Sequence, residues 1–389
     1  MLEAARKNYG GKNIVSFIGK TYSGKTVISA LLFDTISNEF LRRYGKKFHV
    51  RFLKGFDELE RAHKRMFSKG RFPPPTLPKT KSEITIEITS KAPLGTKTEF
   101  VLRDASGEDL TDILQKPYEN PDELINTILT KHKDENDQYG PLSYILFSKI
   151  YIILVNCKLA GEWRTEQIRL NQTINSILDI KKKMKGAVDK KIRNPIAIVF
   201  TKADELKNAL EELKGERRSP SPNELLESYL PLFHSNLELT HSGKLGLFKF
   251  GIDGVEEASD VETEEMKREE AQELAEINNE LWEEKLKQAQ INIQKTIDER
   301  VKSVVDKKRQ DTLNAGQSAD VAEQAAQKAG QEERKIAEEE NKIDEPPDYI
   351  KSEISHYITE KKRYKINRPI KFSQREYIRF ISWIIDNIS

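Results

Sequence analysis

Residues 14–26 read Ile14-Val15-Ser16-Phe17-Ile18-Gly19-Lys20-Thr21-Tyr22-Ser23-Gly24-Lys25-Thr26. The first five are a short apolar run, which predicts a buried strand of a parallel sheet. After this stretch, apolar side chains recur at every fourth position, which predicts a helix; they are Ile28, Leu32, Ile36 and Phe40. Residues 19–26 lie between the two and match the pattern G-x-x-x-x-G-K-[ST] at each defined position. A glycine-containing turn that joins a strand to a helix in this way favours an α/β fold.

The residue types in this turn suit the binding of phosphate groups. Glycines let backbone N–H groups approach the α- and β-phosphates of a nucleotide, and the following helix adds the positive end of its dipole. Lys25 would reach the β- and γ-phosphates, and the hydroxyl of Thr26 would ligate Mg²⁺. The predicted phosphate-binding residues are Gly19, Lys20, Thr21, Tyr22, Ser23, Gly24, Lys25 and Thr26.

Two further motifs each follow a predicted strand. Asp104-Ala105-Ser106-Gly107 comes after the strand candidate at 100–102 and has the form D-x-x-G. An aspartate at the carboxyl end of a strand can hold Mg²⁺ through water, while the Gly107 N–H can face the γ-phosphate. This tetrapeptide is a weak signal alone and gains weight only from its place in the order of motifs.

The second of these motifs bears on the base. Thr201-Lys202-Ala203-Asp204 follows the strand candidate at 196–200. The Asp204 carboxylate could accept hydrogen bonds from the N1–H and N2–H₂ edge of guanine, a donor pair that adenine lacks. Lys202 would lay its aliphatic stem along the base. Three motifs in this order, each at the end of a predicted strand, jointly predict a guanine-nucleotide site.

These motifs resemble those of the Ras-like branch of P-loop GTPases, over roughly residues 12–254 and the final helix. The resemblance implies a mostly parallel, six-stranded sheet with one antiparallel edge strand and helices on both faces. It also implies a molecular switch that binds GTP or GDP with Mg²⁺, hydrolyses GTP and binds a protein effector or activating protein. The D-x-S-G-E form of residues 104–108 is similar to that of bacterial double-GTPase-type domains.

The residues predicted to take part in GTP hydrolysis are Lys25, Glu108 and Thr76. Glu108 stands where Ras-type enzymes carry a water-positioning glutamine. A carboxylate accepts a hydrogen bond from water, but it cannot donate one to the γ-phosphate and its charge opposes the developing anion. We therefore expect slow hydrolysis unless a partner supplies an arginine; the alternative is that Glu108 plays no part in the chemistry.

Two other positions depart from the family pattern or stay open. The first-switch Mg²⁺ ligand is Thr76 or Thr80, and the prolines before Thr76 favour it. The basic stretch 42–71 lengthens this region and predicts an elaborated first switch. Thr201 replaces the commoner asparagine, which removes a side-chain tie between the base motif and the phosphate loop. Together with Glu108, it leaves open a nucleotide-binding pseudo-GTPase or scaffold that acts through a coiled-coil segment.

The chain changes character near Val255. Residues 1–254 alternate strand and helix patterns and predict the GTPase core. Residues 255–345 are dense in Glu, Lys, Gln and Ala with a narrow apolar stripe, which predicts a charged helical or coiled-coil insertion, partly flexible. This stripe could support self-association or bind a partner helix. Residues 346–389 predict a segment that returns the last helix to the core; a separate C-terminal domain from 255 onward is the alternative.

Composition excludes several other classes of site. Of 389 residues, 65 are basic and 63 acidic, so net charge gives no support for nucleic-acid binding. A single cysteine, Cys157, excludes an internal disulfide and any multi-cysteine zinc site. Residues 181–193 contain a basic patch, for which a solvated helix end is favoured over contact with nucleic acid, anionic lipid or an acidic partner. No apolar run is long enough for a transmembrane segment, and we expect a cytoplasmic protein.

Overall fold

The computed structural model describes residues 1–20, 23–44, 48–73, 82–90, 97–104, 113–116, 118, 120–133, 137–157, 162–185, 191–206, 219–315, 318–340 and 363–388. The chain divides into two compact units. The first comprises Met1–Glu257 and Tyr364–Ser389, and the second comprises Ala258–Arg363.

The first unit is built on a seven-stranded sheet in the order β2-β3-β4-β1-β5-β6-β7. The strands are β1 (Ile14–Ile18), β2 (Phe48–Lys54), β3 (Ser82–Ser90), β4 (Lys97–Asp104), β5 (Ile150–Asn156), β6 (Ile196–Thr201) and β7 (Leu245–Lys249). Adjacent strands from β4 to β7 are parallel, and β3 is antiparallel to both neighbours.

The mostly parallel α/β class is confirmed, whereas the expected six strands become seven. The additional strand is β2, which pairs outside β3 and lies within the basic stretch assigned to the first switch. The antiparallel strand is therefore second from the edge of the sheet and not at the edge.

Helices lie in both segments of the first unit and in the second unit. The described α-helices are α1 (Leu2–Tyr9), α2 (Lys25–Asp34), α3 (Leu41–Tyr44), α4 (Phe56–Lys69), α5 (Pro121–Thr130), α6 (Tyr144–Phe147), α7 (Trp163–Lys185), α8 (Pro222–Glu224), α9 (Pro231–Thr240), α10 (Asp260–Asn314), α11 (Ala319–Glu340) and α12 (Gln374–Ile388). Among the described residues, no helix combines the length and the apolar character needed to cross a membrane.

Alternate side chains of the central strands enter two separate apolar cores. Ile14 and Tyr151 pack into one core with α1, α5, α7 and α9. Val15 and Ile152 pack into the other with α2, α4 and α12. Successive residues of a strand point to opposite faces, so both faces of this sheet are covered by helices.

A small two-stranded sheet joins the two segments of the first unit. It pairs β8 (Ile252–Glu257) with β9 (Tyr364–Phe372) in antiparallel register. The strand β9 was not predicted from the sequence, and it also contacts the end of α4, since Ile366 N donates to Gly70 O at 2.7 Å. The chain then enters α12, whose buried face includes Tyr377, Phe380, Ile381, Ile384 and Ile388.

The second unit contains a long helical hairpin. Its first helix, α10, begins with a capping box between Ser259 and Glu262. Arg309 pairs with Glu323 at 2.7 Å, and Arg334 pairs with Asp298 at 2.7 Å. As residue numbers increase along α11, from 323 to 334, the numbers of their partners on α10 decrease, from 309 to 298. The two helices therefore run antiparallel.

Candidate functional site

The three motifs lie where parallel strands end. Gly19 follows β1, Asp104 is the last residue of β4, and Thr201 is the last residue of β6. Because these strands are parallel members of one sheet, their carboxyl ends share one edge, which is where α/β sheets bind ligands. The topology therefore brings all three sequence motifs to the same edge.

The phosphate loop is closed by its own lysine. Lys25 is buried, and its Nζ donates to the carbonyl oxygens of Gly19 at 3.1 Å and Lys20 at 3.2 Å. Gly24 has a φ of +91°, a left-handed conformation that other residues rarely adopt. A Cβ at Gly19 would lie 2.5 Å from Ser23 Oγ, so both pattern glycines meet a steric demand of the loop.

The donor groups of this loop fit a phosphate. Ser23 Oγ is buried and has no hydrogen-bond partner among the described residues. Lys25 and Thr26 begin α2, where backbone N–H groups and the helix dipole favour an anion. A hydroxyl at Thr26 and a carboxylate at Asp104 are hard oxygen donors of the kind that Mg²⁺ prefers.

The base motif lies next to β5 and close to the phosphate loop. The Thr201 hydroxyl donates to the carbonyl of Val155 at 3.3 Å, so it bonds to β5 instead of reaching the phosphate loop. A Cβ added to Gly24 of the phosphate loop would lie 3.9 Å from the Cβ of Thr201, so the phosphate loop and the base motif are close together. Lys202 has a φ of 55°, an uncommon conformation for a residue with a side chain.

Asp204 lies against the segment that follows β7. Its Oδ1 accepts a hydrogen bond from Ile252 N at 3.2 Å. Burial, ahead of the other effects, raises the pKa of the Asp204 carboxyl above its ordinary value. A Cβ at Gly251 would lie 2.7 Å from Asp204 N and 2.9 Å from Oδ1, so glycine permits this approach. The structure thus places residues 251 and 252 beside Asp204.

The last helix supports this segment through Tyr377, which sequence reasoning did not assign to the site. The Tyr377 ring stacks on Phe250, with centroids 4.0 Å apart and planes at 12°. Phe250 O in turn accepts from Ala203 N at 3.0 Å, inside the base motif. The available signal was an aromatic residue on the apolar face of α12, which by itself indicates only packing.

A second missed feature is a buried ion pair between Glu166 and Arg169 on α7. Glu166 also lies 3.5 Å from Lys20 of the phosphate loop. Charged residues three positions apart on a helix are usually solvent-exposed, so the sequence contained no sign of this burial.

Several predicted residues lie outside the described part of the chain. They are Thr21, Tyr22, Thr76, Thr80, Gly107 and Glu108; for Asp104 the backbone alone is described.

The basic patch at residues 181–193 is partly structural. Lys181 is buried and donates to the carbonyl of Ser148 at 2.9 Å, while Lys183 pairs with Asp122 at 2.8 Å.

Known proteins resemble part of this chain. The family model of Double-GTPase 2 (DO-GTPase2) matches residues 13–227, a range that contains all three motifs. Similar solved structures include the GTPase-like domain of Ski7 from S. cerevisiae at 18% identity, bound to GDP and inorganic phosphate (TM-score 0.27) or to GTP (TM-score 0.26). Each match covers 61% of this chain and 43% of that chain, so this chain spans less than half of their length. No curated protein matches.

The family model extends over more than half of the chain, from the start of β1 to beyond the base motif. On that basis the chain belongs to the Double-GTPase 2 family, a double-GTPase type of P-loop GTPase.

Proposed function

We propose that this protein is a Ras-like molecular switch that binds GTP and GDP with Mg²⁺, hydrolyses GTP slowly and controls a protein partner. The observation that carries the proposal is the pairing, at one edge of the sheet, of a lysine-closed phosphate loop with a half-buried aspartate beside Gly251. The first feature suits phosphates, and the second suits a base with two adjacent donors.

The phosphate end would hold the charged part of the nucleotide. Lys25 already points into the loop and would move from carbonyl oxygens to phosphate oxygens, a stronger charge-assisted contact. Thr26, Asp104 and Thr76 would hold Mg²⁺, which when bound neutralises charge on the β- and γ-phosphates.

The base end would select guanine. Ionised Asp204 accepts from both guanine donors, while its hydrogen bond from Ile252 N limits the directions that the carboxylate can take. An adenine base would present one donor and one acceptor to the same carboxylate, leaving a buried charge poorly paired.

Hydrolysis is proposed to be slow because Glu108 replaces a glutamine. An activating partner that contributes an arginine would raise the rate by about 10³–10⁵. The same substitution supports a second candidate, a pseudo-GTPase scaffold that binds nucleotide and acts through the insertion at 255–345, including coiled-coil self-association.

Equilibrium titration of the full chain with fluorescent GDP, GTP and ATP tests the proposal. We expect guanine nucleotides to bind at least about a hundredfold more tightly than ATP, and GTP binding to weaken when Mg²⁺ is chelated. Asp204→Asn should weaken GDP binding by about tenfold to a hundredfold and improve binding of xanthosine diphosphate. The matched control is Asp179→Asn on the exposed side of α7, which should bind GDP like the wild type.

Hydrolysis and switching are measured on the same preparation. Single-turnover assays should show slow loss of GTP, and hydrogen exchange should differ between the GDP state and a state with a non-hydrolysable GTP analogue. Equal affinity for ATP would overturn the guanine assignment. Hydrolysis at several turnovers per second would contradict the role given to Glu108, and its complete absence would support the scaffold.

A further inference from the structure

The buried ion pair of α7 is fixed to the central sheet. Only 3% of the Glu166 side chain and 4% of the Arg169 side chain are exposed. The Arg169 guanidinium donates to both carboxylate oxygens of Glu166, from Nε to Oε2 at 2.9 Å and from Nη2 to Oε1. Its Nη2 also donates to the carbonyl of Leu154 in β5 at 3.3 Å. Because a two-bond contact sets the plane of the carboxylate, the orientation of Glu166 is defined by the sheet behind it.

This carboxylate faces the phosphate loop on its other side. Lys20 Nζ lies 3.5 Å from Glu166 Oε2, and about a third of the Lys20 side chain is exposed. Glu166 therefore compensates two cations, one from its own helix and one from the loop. Lys20 therefore contacts a carboxylate whose orientation is already set by Arg169.

The backbone of Lys20 is a centre of the loop's internal bonding. Its carbonyl oxygen accepts from Lys25 Nζ at 3.2 Å and from Ser23 N at 3.1 Å. Lys20 therefore connects the two. Its ammonium group lies beside Glu166 of the buried pair, and its carbonyl oxygen accepts a hydrogen bond from Lys25. Fixing the Lys20 side chain restrains the backbone that directs Lys25.

We propose that Glu166 and Arg169 are positioning residues for phosphate binding, which act through Lys20 and hold the loop in its binding shape before nucleotide arrives. The inference rests on the proposed function, because it takes residues 19–26 as the phosphate loop. A loop that is already ordered loses less conformational freedom on binding, so the complex forms at lower cost. The effect is the same for GDP and GTP, since the loop holds the α- and β-phosphates that both carry.

Dissociation of a fluorescent GDP from the full chain tests this inference in the wild type, Lys20→Met, Glu166→Gln and the double variant. Each single variant is expected to raise the dissociation rate about tenfold. The double variant is expected to raise the dissociation rate no further, because both substitutions remove the same contact between Lys20 and Glu166. Lys20→Arg keeps the charge and is expected to restore a rate within about twofold of the wild type.

Two controls separate positioning from general stability. Lys183→Met removes an exposed ion pair from the same helix and should leave the rate unchanged. Melting temperatures without nucleotide should fall for Glu166→Gln, which alters a buried pair, and stay near the wild-type value for Lys20→Met. The inference would be overturned if GDP dissociated from Lys20→Met at the wild-type rate. It would also be overturned if the rate increase in the double variant equalled the product of the increases in the two single variants. A wild-type chain that binds no GDP overturns the proposed function instead.

Discussion

The phosphate end and the base end of the candidate site are built in different ways. The phosphate end is one continuous segment, residues 19–26, in which Lys25 bonds to carbonyls five and six positions earlier. The base end is assembled from distant segments: Asp204 bonds to Ile252, 48 positions away, and Tyr377 of the last helix packs on Phe250. Local bonding makes the first end a motif, whereas the second depends on correct packing of the C-terminal elements.

The two ends should therefore fail differently. A substitution that disturbs the phosphate loop should weaken binding of every nucleotide, because all nucleotides share the phosphates. A substitution in the assembled end should change the choice of base more than the strength of phosphate binding. The ratio of GDP to ADP affinity separates these outcomes, since the phosphate contribution cancels in the ratio.

The largest effect is expected from Lys25→Met. The substitution removes the cation that closes the loop and the charge-assisted contact to phosphate, so GDP and ADP should both bind at least about a hundredfold more weakly. Titration with fluorescent nucleotides measures this. Lys12→Met is the control, because Lys12 lies before β1 and bonds to Asn8. If Lys25→Met bound GDP within about threefold of the wild type, residues 19–26 would not be the phosphate site.

The same contrast explains what the sequence could predict. Residues 19–26 were readable because strand, turn and helix are adjacent in the chain and each pattern position has its own steric or electrostatic reason. The strand β2 was missed because its alternation lies inside the basic stretch 42–71, which was interpreted as an elaborated first switch. The roles of Tyr377 and Glu166 were not readable, because a stack on Phe250 and a contact to Lys20 arise only when the sheet has assembled.

A middle-sized effect is expected from Gly251→Ala, which tests the assembled end alone. The new Cβ would lie 2.7 Å from Asp204 N and 2.9 Å from Oδ1, so the carboxylate must move. The preference for GDP over ADP should fall about tenfold, with ADP affinity little changed. Crowding of this kind also costs about 1–3 kcal/mol of stability, which thermal unfolding would record.

The control for this substitution is Gly11→Ala, because a Cβ there meets nothing within 4 Å. It should keep both the melting temperature and the base preference of the wild type. An unchanged preference in Gly251→Ala would show that contact between residue 251 and Asp204 does not govern base selection.

The smallest effect is a pH dependence that only the base end should show. Burial raises the pKa of the Asp204 carboxyl, so the folded chain holds this proton more tightly than the unfolded chain. Asp204 therefore adds stability to the nucleotide-free protein at low pH, and that contribution is lost as pH rises through the raised pKa. Guanine binding depends on pH in the opposite direction: it strengthens as pH rises, because it needs the ionised carboxylate.

Between the raised pKa and the ordinary aspartate value of about 3.9, the preference for GDP over ADP should thus weaken a few-fold as pH falls. Titrating both nucleotides over this range measures it, and phosphate ionisation cancels in their ratio. Asp204→Asn, which cannot titrate, should give a flat ratio. A wild-type ratio that does not change with pH would mean that the carboxylate does not contact the base. The two ends would then differ in how they are assembled, but Asp204 would not select the base.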